Sequence, residues 1–280
     1  MAERYDELLD LAREVADEAA DLVRSLRRQG VVVSATKSSQ VDIVTEADKA
    51  AEALIFERLM AARPGDGFLG EEGASSTSTS GITWVVDPID GTVNFLYGIG
   101  HYAISIAARD RAQVVAGVVL NLGTGECFAA ALGAGATCDG RPLRVREVVP
   151  MSERLVLTGF SYVTEVRGLQ GAAVGALLGE VRDIRRLGSA ALDLCAIADG
   201  RADAYVEEGP KPWDMAAGGL VATEAGARLE ISPGVGGMAC VICAPVGGFE
   251  EFFDVVARCG FLRVQETSSP PEVEPLTGVE

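Results

Sequence analysis

The chain is short of positive charge, of histidine and of long apolar runs. Lys and Arg number 24 against 41 Asp and Glu, for a formal net charge of −17. A surface of that sign repels nucleic acid and anionic membranes, so neither is expected as a partner. The one histidine, His101, has no companions for a zinc site or a serine triad and is read as structural. No apolar run of about 18 residues exists, because Arg109, Asp110 and Arg111 break the longest candidate, 102–121. The start, MAERYDELLD, has neither a basic beginning nor an apolar stretch, so no signal peptide is expected and a cytoplasmic location follows by default. Six cysteines are present, but not in a metal-binding arrangement. Cys240 and Cys243 form a solitary CxxC inside the strand-like run MACVICAP, where residues three apart face opposite ways. Buried free thiols are the reading.

The chain is nonetheless long enough for a sizeable core. Its 280 residues are 48% hydrophobic, and the length allows one large domain or two tightly packed halves. Leu8, Leu9, Ala12, Val15, Ala16, Ala19, Leu22, Val23 and Leu26 recur at helical spacing over 5–28, and Gly30 closes that helix. Thr45-Glu46-Ala47-Asp48 resembles a capping box and opens a second helix, stopped by Arg63-Pro64-Gly65. A short strand at 67–69 runs into Gly70-Glu71-Glu72, and 74–81 is small and polar, an exposed loop. Strands are expected at 83–86, 102–108, 113–120 and 126–132. Beyond about 150, strands (154–160, 183–186, 202–206, 227–231, 239–243) alternate with helices (164–178, from Ser189, from Trp213, 249–258). The expectation is an α+β half, 1–148, an α/β half, 149–263, and a disordered acidic tail, 264–280.

Several acidic residues sit at element ends rather than on solvated helical faces: Glu71 and Glu72, Asp87 and Asp90, Asp214. Any one could be a loop acid or a helix cap. As a set they would repel one another once buried, and 67–95 contains no Lys or Arg. Hard divalent cations resolve the problem, and oxygen ligands without His or Cys point to Mg²⁺ or Mn²⁺. In Asp87-Pro88-Ile89-Asp90 the proline stiffens the chain so that both carboxylates can converge, with the Ile89 carbonyl between them. Gly91-Thr92 then begins a helix or turn whose free N–H groups suit phosphate oxygens. An acidic protein can thus hold an anion.

These residues resemble the inositol monophosphatase-like phosphatases, relatives of fructose-1,6-bisphosphatase. Asp87-Pro88-Ile89-Asp90-Gly91-Thr92-Val93-Asn94-Phe95 matches one family signature and Trp213-Asp214-Met215-Ala216-Ala217-Gly218 the other. Gly70-Glu71-Glu72, Lys37-Ser38-Ser39 and 42–48 fit upstream elements, and the likeness spans roughly 5–262. It implies a layered αβαβα sandwich, a homodimer, two or three Mg²⁺ ions with Mn²⁺ as a substitute, and inhibition by Li⁺. By the resemblance, Glu71, Asp87 and the Ile89 carbonyl hold one metal, and Asp87, Asp90 and Asp214 a second. A water oriented by Glu71 and Thr92, with Asp48 behind Thr92, attacks the phosphate monoester. Asp90, Gly91, Thr92 and Asp214 also face the substrate. Gly188, Ser189, Ala190 and Glu207 stand at the family's polyol-contacting positions, Ser189 where Thr is common. The implied reaction is hydrolysis of myo-inositol 1-phosphate or a similar phosphorylated polyol. Rival substrates are histidinol phosphate, fructose 1,6-bisphosphate and NADP(H), and a rival role is that of a non-catalytic regulatory partner.

Overall fold

A computed structural model describes residues 2–36 and 43–263. Lys37-Ser38-Ser39, Asp42 and the acidic tail 264–280 lie outside the described residues. The chain opens with helix α1 (Ala2–Gln29), a ribbon of β1 (Val33–Thr36) and β2 (Ile43–Thr45), and helix α2 (Glu46–Ala62). The capping box at Thr45 forms as expected: the Asp48 N–H donates to Thr45 Oγ1, and the Thr45 N–H to Asp48 Oδ2 at 2.8 Å.

An eight-stranded sheet follows. Its strands are β3 (Gly67–Gly70), β4 (Ser75–Ser76), β5 (Ile82–Asp90), β6 (Ala103–Asp110), β7 (Gln113–Asn121), β8 (Cys127–Ala131), β9 (Gly135–Cys138) and β10 (Arg141–Pro142). They lie in the order β10-β9-β8-β7-β6-β5-β3-β4, antiparallel except for β3 beside β5. A short helix α3 (Thr92–Tyr97) links β5 to β6. The two-residue β4 lies inside the stretch expected to be loop; β9, four residues long, is too short for its alternation to stand out in the sequence, and β10 is two exposed residues.

The remainder contains β11 (Leu155–Thr158), α4 (Thr164–Leu177), β12 (Asp183–Arg185), α5 (Ala190–Ala198), β13 (Ala204–Glu208), α6 (Pro212–Glu224), β14 (Ala227–Pro233), β15 (Ala239–Pro245) and α7 (Phe249–Arg258). Its five-stranded sheet has the order β12-β11-β13-β15-β14 and is mixed, since β15 runs antiparallel to both neighbours.

Alternation along the strands builds the layers. In β5, Trp84 and Val86 face a cluster with Ala12, Val15, Ile55 and Leu59 of α1 and α2, while Val85 faces Leu192, Cys195 and Val221 of α5 and α6. In β13, Ala204 and Val206 face Leu177 of α4 and Phe252 of α7, while Tyr205 turns inward to Leu194 and Ala222. Helices α5 and α6 therefore lie between the sheets, and the expected αβαβα sandwich results. Each fully buried Leu, Ile, Val or Phe supplies about 1.5–3 kcal/mol of transfer energy. The same alternation puts Cys240 in the outer cluster and Cys243 in the inner one, both as free thiols. Among the described residues no helix is long and apolar enough to cross a membrane.

Candidate active site

Strand β5 does not stop at Val86, as the sequence suggests, but continues through Asp90. It pairs with β6 in step as far as Asp87↔Ser105, then resumes at Asp90↔Ala103. Two residues on β5 thus stand opposite one on β6, Ile104, a bulge at Pro88-Ile89. Without it, residues three apart would point to opposite faces. Asp87 Oδ1 accepts the Ile89 N–H at 2.9 Å and steadies the bulge.

Glu71 follows β3 directly, and its N–H donates to the Val86 carbonyl at 3.1 Å, which sets it beside Asp87. Asp214 arrives from the other half. It is the third residue of α6, where Pro212 opens the helix and Asp214 Oδ2 accepts the Lys211 N–H at 2.7 Å. The Ser105 hydroxyl, on the residue paired with Asp87, donates to the Trp213 carbonyl at 3.1 Å and pins the helix start to the first sheet. As a result, one carboxylate oxygen from each of Glu71, Asp87 and Asp214 lies within 4.8 Å of the others.

Burial pushes the Asp87 carboxyl well above its ordinary range, and the charges of Glu71, Asp90 and Asp214 push it further. Asp214 is raised in the same way, by burial first and then by Asp90 and Glu71. Three close carboxylates, two of them held back from ionisation by burial and neighbouring charge, form a donor set that a cation would stabilise. All three donors are hard oxygens, which suits a divalent ion of the Mg²⁺ class.

Asp90 stands just outside this triple. Its Oδ2 accepts from Ser189 Oγ at 2.6 Å and from the Ala191 N–H at 2.7 Å. Burial raises it to about 6 despite those hydrogen bonds. Ser189 also accepts the Leu192 N–H as the N-cap of α5. Its hydroxyl is therefore turned into the protein, holding Asp90, rather than toward the open cleft. Gly91, left-handed at φ +94, begins α3. Thr92 Oγ1 lies 3.1 Å from Asp48 Oδ1 and 3.1 Å from the Ile89 carbonyl. Asp48 is buried behind it and raised to about 6 by that burial.

The carboxylates lie in a cleft of about 430 Å³ between the two halves. Glu71, Asp87, Ile89, Asp90, Gly91, Thr92, Gly188, Ser189, Ala190, Glu207 and Asp214 line this cleft, whereas Asp48 and Glu72, also named from the sequence, do not. Glu207 accepts the Tyr205 hydroxyl at 2.9 Å. Burial and the nearby Asp193 charge raise it to about 7. His101 lies outside the cleft with its Nε2 3.3 Å from Asp193 Oδ1, in keeping with a structural role.

Sequence reasoning missed Arg186 and Lys211, the cationic side chains lining the cleft, and the wall built from Phe160, Ser161, Tyr162 and Met238. The wall has no local signature because its segments meet only in the fold. Arg186 could have been found from its place two residues before Gly188. Also unmarked was Glu52, four residues after Asp48 on α2.

The model of the inositol monophosphatase family matches residues 4–246. The inositol-1-monophosphatase SuhB of Mycobacterium tuberculosis (strain ATCC 25618 / H37Rv) is 43% identical over 263 residues, covering 87% of this chain and 91% of that protein. A relative named Nus factor SuhB, from Pasteurella multocida (strain Pm70), is 38% identical over 78% of this chain and 83% of its own length. The solved structure of Mycobacterium tuberculosis SuhB superimposes with a TM-score of 0.80 at 41% identity, over 92% of this chain and 98% of that one. The chain belongs to the inositol monophosphatase family and is a metal-dependent phosphatase.

Proposed function

We propose that the chain hydrolyses phosphate monoesters of small polyols, with myo-inositol 1-phosphate as the leading substrate and Mg²⁺ as the cofactor. The observation that carries this reading is the joint placement of the Glu71, Asp87 and Asp214 oxygens and the Glu207 carboxylate in one cleft.

In this reading Glu71, Asp87, the Ile89 carbonyl, Asp90 and Asp214 would hold the ions. Bound there, divalent cations would lower the pKa of an attacking water and neutralise charge on the phosphoryl group. The chain's own residues do the rest. Thr92 orients the water, and Asp48 fixes the Thr92 hydroxyl. Backbone amides of Gly91 and Thr92 are offered to phosphate oxygens. Ser189 and the Ala191 amide hold Asp90 in place. Gly188 and Ala190 shape the wall beside the leaving group, and Glu207 accepts hydrogen bonds from its hydroxyls. Residues 1–148 then supply most metal ligands, and 149–263 the last ligand and the polyol contacts. The family likeness further supports a homodimer, Mn²⁺ as substitute, Li⁺ inhibition and a cytoplasmic setting.

The test is a phosphate-release panel with Mg²⁺, covering inositol 1-phosphate, histidinol phosphate, fructose 1,6-bisphosphate and NADP(H). The expected result is preference for inositol 1-phosphate. Preference for another member corrects the substrate. Metal binding without turnover on any of them would favour the regulatory role suggested by the name of the Pasteurella relative.

A further inference from the structure

Helix α2 carries two carboxylates behind the site on successive turns. Asp48 and Glu52 are four residues apart, share a helical face and are both buried. Asp48 reaches Thr92. Glu52 serves the other side of the site: its Oε2 accepts the Glu72 N–H at 2.7 Å, and its Oε1 accepts the Ala74 N–H at 2.9 Å. Both amides belong to the turn after β3, whose neck is closed by the Gly70 N–H on the Ala74 carbonyl, 2.9 Å. Gly70 allows the close approach, because a Cβ there would overlap the Glu52 carboxylate.

Glu71 lies within that turn. Its own N–H is tied to β5 through the Val86 carbonyl, so its backbone is gripped by β5 on one side and by the Glu52-held turn on the other. Only an ionised carboxylate offers two acceptor oxygens and no donor to a pair of inward-pointing amides; a glutamine would set its NH₂ against one of them. A third negative charge beneath a turn that already carries Glu71 and Glu72 adds repulsion. A cation at Glu71 offsets it.

We propose that Glu52 is a positioning residue for Glu71: it fixes the turn so that the Glu71 carboxylate meets Asp87 and Asp214, and it thereby sets the cation affinity of that cluster without touching cation or substrate. This rests on the metal-dependent reading of the cluster.

The experiment measures Mn²⁺ binding to the full chain by electron paramagnetic resonance titration, in parallel with thermal unfolding in the absence of metal. The variants are Glu52→Gln, Gly70→Ala and, as a control, Asp66→Asn. Asp66 is another buried carboxylate, accepting the Trp84 indole N–H at 3.0 Å at the far end of β3. Glu52→Gln and Gly70→Ala are expected to weaken Mn²⁺ binding by about tenfold or more, within the 10–100-fold range typical of groups that orient metal ligands. Asp66→Asn should lower stability and leave affinity at the parental value. Parental affinity in folded Glu52→Gln overturns the proposal. If that variant does not fold, parental affinity in Gly70→Ala overturns it equally. An equal loss in Asp66→Asn overturns it too, because general loosening would then explain the effect. Absence of Mn²⁺ binding in the parent is a separate failure, of the metal-site reading itself.

Discussion

Thr92 and Asp48, 44 positions apart in the chain, meet through the Thr92 hydroxyl, whose oxygen stands 3.1 Å from Asp48 Oδ1. The hydroxyl has two acceptors inside the protein, Asp48 and the Ile89 carbonyl. Its proton is therefore directed inward, and its lone pairs are left for a donor in the cleft. That is the arrangement needed to hold a water for attack. Thr92→Ala should lower kcat by roughly the 10²–10⁴-fold typical of a lost proton-positioning group, with little change in Mg²⁺ affinity. Calorimetry showing lost metal binding with kcat intact at saturating Mg²⁺ would reverse the assignment.

Chelation provides the second test. Excess EDTA should abolish phosphate release and added Mg²⁺ restore it. The charges of Glu71, Asp90 and Asp214 all bear on Asp87, and the proposed site gives it to both metals. Asp87→Asn should then cost more activity than Asp90→Asn or Asp214→Asn. Turnover that persists in EDTA sinks the metal mechanism.

Glu207 yields a prediction in two solvents of differing acidity. Its carboxyl is raised from an ordinary 4.5 to about 7, chiefly by burial. The folded protein thus holds that proton more tightly than the unfolded chain. Its contribution to stability is fully present below pH 4.5 and is lost as pH rises through about 7. Thermal unfolding of the metal-free parent should fall more steeply over that window than that of Glu207→Gln. In activity, a charge-assisted hydrogen bond worth about 1.5–3 kcal/mol predicts a drop in kcat/KM of up to roughly 100-fold for inositol 1-phosphate in Glu207→Gln. A plain aryl phosphate should be nearly unaffected. Parallel losses on both substrates would remove the polyol role from Glu207.

Ser189 separates positioning from contact. Its hydroxyl caps α5 and holds Asp90. Ser189→Ala should cost about 1 kcal/mol or more of stability through the lost cap, and should weaken Mg²⁺ binding. The change in KM should be alike for polyol and aryl phosphates, since the hydroxyl faces inward. Ser189→Thr should keep parental behaviour. A selective rise in KM for the polyol alone would show that the hydroxyl reaches substrate after all.

The helices and the longer strands were legible because their apolar positions recur at fixed periods, as in α1 and in β5–β7. The carboxylates proposed as metal ligands were legible for a different reason: Asp87, Asp90 and Asp214 interrupt apolar stretches of sequence at points where a charge has no packing role. Three things were hidden. The bulge that lets Asp87 and Asp90 converge depends on where β6 resumes pairing, which is a property of two strands and not of one. Glu52 reads as an ordinary helical acid, because its two acceptors are matched only when the turn after β3 folds over α2. Likewise nothing local in Ser189 says that its oxygen points at a carboxylate 99 residues earlier.

Helix α6 lies between the two sheets and carries Asp214 in its first turn, opposite Glu71 and Asp87 from the other half. During synthesis, therefore, two of the three clustered oxygens emerge early and wait as mutually repelling charges until the third leaves the ribosome. A nascent chain ending before α6 has no site worth occupying, and a finished chain whose sheets part loses it at once. An ion held by all three oxygens would thus latch the closed sandwich, and its departure would be an early sign that the layers have begun to separate.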